Sequence, residues 1–273
     1  MLRHFSLGIA MLLLAGTIPR AHAQKTNRFH IKAGAQLAYT SDKLASPMVY
    51  RSLGFGGGFG YEKQFPKWML GVSFGGYYGS LISNTQPNRG VIFRGQKFTG
   101  ERDSFSFALR ETLIDLQLDV TLAAKVVDKG MHRLYIGGTL NNRMHFNTGF
   151  TNFALGNYAY AGLYWRYALE PNPKHTVYWD ASVPLLAYCN RLPWHSSIST
   201  PNAGQVQAFF KADGNLYSVN KFMLFHSAVN YRYQVTPTVA IGAEWTFYWL
   251  GQRDPLPHKF YANAINFKTS FSF

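Results

Sequence analysis

The last segment of the chain alternates in character at every second residue. Tyr261, Ile265, Phe267, Thr269, Phe271 and Phe273 fall on one face, and Ala262, Ala264, Asn266, Lys268, Ser270 and Ser272 on the other. A period of two is that of a β-strand, because successive side chains there point to opposite sides, whereas a helix repeats every 3.6 residues. A lysine on one face of such a strand needs water or a partner, so that face is expected to line a polar interior. The aromatic face then meets an apolar surrounding.

The same period runs through the rest of the chain. Val239, Ile241, Ala243, Trp245, Phe247 and Trp249 alternate with Ala240, Gly242, Glu244, Thr246 and Tyr248. Similar runs cover 223–234, 176–187, 158–169 and 132–146. Ile114, Leu116, Leu118, Val120 and Leu122 oppose Asp115, Gln117, Asp119 and Thr121. Leu70, Val72, Phe74 and Tyr78 share one face, and so do Leu53, Phe55, Phe59 and Tyr61, which stand opposite Gly54, Gly56, Gly58 and Gly60. Phe29, Ile31, Ala33, Ala35, Leu37 and Tyr39 alternate with His30, Lys32 and Gln36. The glycine run lacks the order of a phosphate loop, and no helix follows it, so small residues pointing into a tight interior explain it better. Pro184 interrupts one run, since proline removes a ladder hydrogen bond, and a bulge there would accommodate it.

Between these runs, short connectors (near 64–67, 128–130, 170–175 and 235–238) alternate with longer ones (near 41–47, 84–104, 148–156, 190–217 and 251–258). That rhythm belongs to antiparallel barrels with short turns at one rim and loops at the other. The expected fold is all-β: a membrane-spanning antiparallel up-and-down β-barrel of about ten strands, with eight or twelve as alternatives. One domain is expected over residues 24–273, with external loops near 84–104 and 190–217.

Composition agrees. Aromatic residues make up 16% of the 273 and charged residues only 15%, whereas soluble domains carry about 25% charged residues. The mean hydropathy is nonetheless close to neutral, as two-faced strands require. Residues 1–23 read as a cleaved export signal: Arg3 and His4, an apolar run from Leu7 to Ala15, and a small-x-small site at Ala21-His22-Ala23. The apolar run is shorter than the roughly 20 residues a membrane helix needs. Cys189 is the only cysteine, so no internal disulfide can form. The net charge of +14 would suggest nucleic acid. An exported chain instead meets lipid headgroups, lipopolysaccharide phosphates and acidic glycans, and no nucleic-acid partner is expected.

Asn266, Phe271 and Phe273, in the segment Asn266 to Phe273, resemble the C-terminal assembly signal of bacterial outer-membrane β-barrel proteins. Lys268 stands where that pattern usually carries glycine. The resemblance implies residence in the bacterial outer membrane and reading of the segment by the barrel-assembly machinery. It names no substrate.

By strand parity the interior collects His30, Lys32, Glu62, Asp115, Asp119, Arg143, His145, Arg166, Asp180, His226, Arg232, Glu244 and Lys268. Barrels of about eight strands are filled by side chains, and only those of about 16–18 leave a wide channel. A self-neutralising, mostly filled lumen is therefore expected, with Arg143, Arg166 and Arg232 crossing to Asp115, Asp119 and Glu244; a narrow pore for small solutes is the alternative. The external loops gather Arg89, Arg94, Lys97, Arg102, Arg191, Lys211 and Arg253, together with His258 and Lys259, a set suited to lipopolysaccharide, with a protein or glycan partner also open. The expected role is structural, surface-binding or partner-binding. A second alternative, an outer-leaflet lipid hydrolase, rests on His195 and Ser197, a His-x-Ser element in a loop that resembles the pair of barrel lipases but lacks the asparagine they place after the serine. Paired acids offer less. Asp115 and Asp119 lie roughly 13 Å apart at strand rise, and Glu101 and Asp103 have no visible histidine partner. No metal spacing and no cofactor motif is present in the sequence.

Overall fold

The computed structural model describes residues 27–44, 48–85, 87, 90–96, 100, 102–108, 111–148, 153–192, 209 and 214–273. The expected export signal lies outside them. Thirteen strands are described: β1 (Asn27–Asp42), β2 (Tyr50–Gln64), β3 (Trp68–Ser83), β4 (Gly90–Gln96), β5 (Arg102–Ala108), β6 (Glu111–Lys129), β7 (His132–Thr148), β8 (Phe153–Asn172), β9 (His175–Leu192), β10 (Asn215–Ser218), β11 (Phe222–Gln234), β12 (Val239–Gln252) and β13 (His258–Ser272).

Ten of these close an antiparallel barrel, each paired with its neighbour in sequence, and β13 returns to β1. The C-terminal segment that first suggested strands completes the wall: Phe271 sits opposite Phe29, and the Phe273 amide donates to the Asn27 carbonyl at 3.0 Å. Closure satisfies the edge strands' N–H and C=O groups, which a bilayer would leave unpaired. The strands run from 13 residues in β11 to 20 in β8. About 9–11 tilted residues suffice to cross a bilayer, so the longer ones extend past it.

The outward face is apolar. Phe55 and Phe267 are each 79% exposed, and Leu53, Leu140 and Ile265 also stand free on the wall. A soluble monomer rarely shows contiguous apolar patches beyond about 300–600 Å², so a belt of this kind calls for lipid. Rings gather at its rims. At the turn end Phe65 stacks on Trp68 at 3.6 Å, and Tyr167 and Tyr231 pair with His132 and His175. At the loop end Tyr39 stacks on Tyr261 at 4.7 Å. Such girdles suit residues with one apolar and one polar side at the lipid–water boundary.

The glycines of β2 and β3 leave the inner wall bare on one side. At Gly60 a Cβ would sit 2.5 Å from the His30 ring, and at Gly54 it would strike the Tyr78 carbonyl. At Gly60 the His30 ring of the neighbouring strand uses that space, and Gly56, Gly57, Gly75 and Gly76 border a small cavity.

Three details depart from a simple ten-strand reading. The connector expected near 84–104 contains a separate hairpin, β4–β5, whose register pairs Phe93 with Phe105 and which makes no ladder with the barrel. The connector expected near 148–156 is shorter, because β7 and β8 run on to Thr148 and from Phe153. The strand opposite β9 is broken: β10 pairs with Leu186 to Cys189, and β11 pairs from Ser182 downward, so residues 219–225 face only 183–185. Pro184 sits in that gap. The ladder is already interrupted there, and the register with β8 also shifts beside it, so its missing N–H costs no pairing.

Candidate functional site

The lumen is where sequence parity concentrated the charges, and the structure brings those side chains into three levels. Nearest the turn end is a continuous ionic chain. Glu62 of β2 accepts from Arg28 at 3.0 Å and from Arg166 of β8 at 2.5 Å. The Arg166 Nε donates to Asp180 at 2.5 Å, and the Tyr164 hydroxyl donates to the same carboxylate. Asn230 links Asp180 to Lys268, whose ammonium donates to Tyr178 at 3.0 Å and lies 3.5 Å from Glu244. Lys32 reaches Glu244 at 2.6 Å, ending the chain on β1. Acid and base alternate across the bore, and Glu62, Asp180 and Glu244 are buried. Carboxylates in that setting are tolerable only when paired and hydrogen-bonded.

Against this chain lies a cavity of about 140 Å³, lined by its charged members from Glu62 to Lys32 and by His30, Asp119, Ser182, His226 and Thr246. Asp119 accepts from Gln117 at 2.7 Å and from the Asn141 amide. The cavity is polar and large enough for a few ordered waters.

The third level fills the loop-side half. Arg143 of β7 grips Asp115 of β6 with two donors, its Nε at 2.8 Å. Its guanidinium carbon lies over the Tyr248 ring, 3.4 Å from the centroid, and 5.2 Å from that of Phe260. His145 packs on Phe260 and lies 3.5 Å from Asp115. Around this group, Tyr158, Phe222, Leu224, Tyr248, Leu250 and Phe260 are all at most 2% exposed. They form an apolar cap inside the barrel, as in the core of a soluble protein.

The sequence reading assigned the thirteen lumen residues by parity, and each lines or is buried in this interior. Arg143 pairs with Asp115, within the expected set, and the other partners differ. Arg166 takes Glu62 and Asp180, Glu244 takes two lysines, Asp119 takes amides, and Arg232 joins none of the three expected acids. Arg28, the lumen tyrosines and the apolar cap were not foreseen. Arg28 has the same parity as His30, which is the signal that would have found it.

Arg191 was expected in an external loop, and the structure corrects that. It lies in β9, buried, paired with Asp42 and donating to the Leu256 carbonyl at 2.6 Å. β9 runs on to Leu192, past the expected start of the connector, and the bulge beside Pro184 sets the facing of its last residues. Leu185 and Leu186 both face outward, at 54% and 50% exposure, which shifts the parity of Ala187, Cys189 and Arg191 to the inside. His258, also expected in a loop, is a buried residue of β13 that joins Tyr158 at 2.8 Å and Thr40 at 3.4 Å. Lys259 is likewise in β13 but exposed.

Of the remaining loop set, Arg94 is exposed on β4, Arg253 is exposed between β12 and β13, and Arg102 belongs to β5. Arg89, Lys97 and Lys211 lie outside the described residues, as do His195, Ser197 and Glu101. In the turn after β10, Lys221 sits 2.7 Å from Asp254, and that hydrogen bond raises the lysine's pKa above its ordinary value. Among the described residues no group of three or more metal-ligating side chains occurs.

The wall has known counterparts. The outer membrane protease OmpT from Escherichia coli superposes with a TM-score of 0.61 over 94% of this chain and 99% of that one, at 9% identity. The chain is built as an outer-membrane β-barrel. The translocator domain of the autotransporter NalP from Neisseria meningitidis gives a TM-score of 0.41 over 98% and 96% of the two chains, and Neisserial surface protein A gives 0.38 over 90% and 97%, each at 10% identity. At these identities the likeness is one of fold alone. No family model matches the sequence, and no curated protein matches it.

Proposed function

We propose that the protein is a closed, non-conducting barrel of the bacterial outer membrane, exported by a cleaved signal over residues 1–23, that holds a rigid external face for surface or partner binding. The observation that carries this reading is the stacking of two barriers in one bore: the ionic chain from Arg28 to Lys32 and the apolar cap around Phe260. A pore would need both to part. An unpaired charge inside would be costly, so the chain favours staying intact. A narrow pore is therefore the weaker reading.

At the outer rim, Arg51 and Lys259 are exposed on the wall near the loop end, and Arg94 and Arg253 are exposed beyond it. Cations at this level suit the phosphates of lipopolysaccharide, since guanidinium and ammonium groups form their strongest hydrogen bonds with ionised oxygens. For a paired-acid hydrolase the support is poor: Asp115 is held by Arg143, and Asp119 by Asn141 and Gln117.

The refolded protein in a planar bilayer is expected to remain electrically silent over the full voltage range that porins tolerate. Stepwise ionic currents from the pure wild-type protein would overturn the closed-barrel reading.

A further inference from the structure

The turn end of the barrel holds a cavity of about 640 Å³ that the ionic chain does not fill. Four cations face it, Arg28, Lys125, Arg133 and Arg232, against two carboxylates, Asp128 and Glu170. Both carboxylates are engaged. Asp128 lies 2.8 Å from Lys125 and 3.5 Å from Arg133, and Glu170 accepts from Arg133 at 3.1 Å. Arg28 is held by Glu62, yet its Nε is buried with no hydrogen-bond partner, while the Arg133 Nε is the atom that faces Asp128. Arg232 stands apart. Its one side-chain bond goes to the Thr176 hydroxyl at 2.9 Å, and among the described residues no carboxylate pairs with it.

A guanidinium offers five donors in a planar fork. Here the Arg232 fork is nearly unspent, and Arg28, Lys125 and Arg133 add positive charge to the same cavity. The fork matches the paired oxygens of a carboxylate or phosphate, with charge-assisted bonds roughly twice as strong as neutral ones. Phe65, Pro66, Tyr135, Pro173 and Pro237 also line the cavity, and supply apolar surface beside the charges. The lining is more polar than that of a pocket for apolar ligands, which suits a small charged one.

We propose that this cavity is an oxyanion-binding site, taking a carboxylate or a phosphate, with Arg232 as its principal donor. The site is independent of whether the barrel conducts.

The test titrates the full, detergent-refolded barrel with inorganic phosphate and, separately, with citrate, following the thermal-unfolding midpoint; sodium chloride at matched ionic strength is the control. A ligand that binds only the folded state raises that midpoint in a saturable way. Wild type is expected to respond to at least one oxyanion and not to chloride, and the arm that responds identifies phosphate or carboxylate. Arg232→Gln strands no carboxylate, so it is expected to fold and to bind at least tenfold more weakly. Arg232→Lys keeps the charge but loses the fork, and is expected to fall between. Arg253→Gln, at the opposite rim, is expected to bind as wild type does. A chloride response equal to that of the oxyanions, no saturable response in wild type, or wild-type affinity in both Arg232 variants would overturn the proposal.

Discussion

Replacing Asp115 by asparagine is expected to lower the free energy of unfolding by about 3–5 kcal/mol, because it leaves the Arg143 charge buried without its counter-ion. Arg143 is 3% exposed and Asp115 4%. Neither can turn to water, since the guanidinium is clamped against Tyr248. The pair's net worth is a separate matter. Taking two charges out of water costs several kcal/mol per ion, so a well-packed apolar replacement of both is often neutral. The double variant Asp115→Leu with Arg143→Met is therefore expected to recover most of the loss. Urea unfolding in detergent or lipid, read by tryptophan fluorescence, measures both. Equal stability of wild type and Asp115→Asn would show that the buried pair is not the constraint argued from the geometry.

Phe260→Ala is expected to cost a similar amount, about 3–5 kcal/mol, for a different reason. Phe260 is fully buried, and it touches His145, Tyr248 and Arg143 in the centre of the cap. Truncating a packed aromatic loses its transfer energy and leaves a cavity that rigid neighbours cannot close. Strands in a closed wall relax little, which places the effect toward the upper end. The variant is expected to stay silent in a bilayer, because the ionic chain below remains intact. The measurement is the midpoint at which the folded band is lost on heating before a detergent gel. A midpoint within a degree of wild type would mean the cap is loosely packed.

How much of this could be read in advance depended on whether the physics was local. The wall was legible: parity along β1, β6 and β13 and the alternation of connector lengths gave antiparallel strands and the closing role of Phe273. Which residues faced inward was legible too, because facing depends only on counting by two. Partner choice was not. Arg166 and Glu62 are 104 residues apart, and their meeting depends on register and on the curvature of the closed sheet. The apolar cap escaped attention because Phe222, Leu224, Leu250 and Phe260 share parity with polar residues, and an inward apolar residue resembles an outward one until the phase is fixed. Arg191 fell in the expected connector because β9 runs on to Leu192, and its inward facing follows from the bulge beside Pro184, where one extra residue reverses every facing beyond it. The proline was the visible sign of that irregularity. Nothing local marked the size of its effect.

The discontinuity opposite β9 has a mechanical consequence. The other seams carry thirteen to seventeen paired residues each, from β11–β12 to β6–β7 and β7–β8, and keep their ladder throughout apart from one bulge in β6–β7 and two register shifts in β8–β9. On its β10–β11 side, β9 is sewn by two short runs, four residues with β10 and eight with β11. Under tension along the membrane normal, load shared by parallel hydrogen bonds concentrates where they are fewest. Pulled from its C-terminus by a force probe, the barrel is expected to give up β11 to β13 as one piece, tearing at this seam, before the strands from β6 to β9 yield.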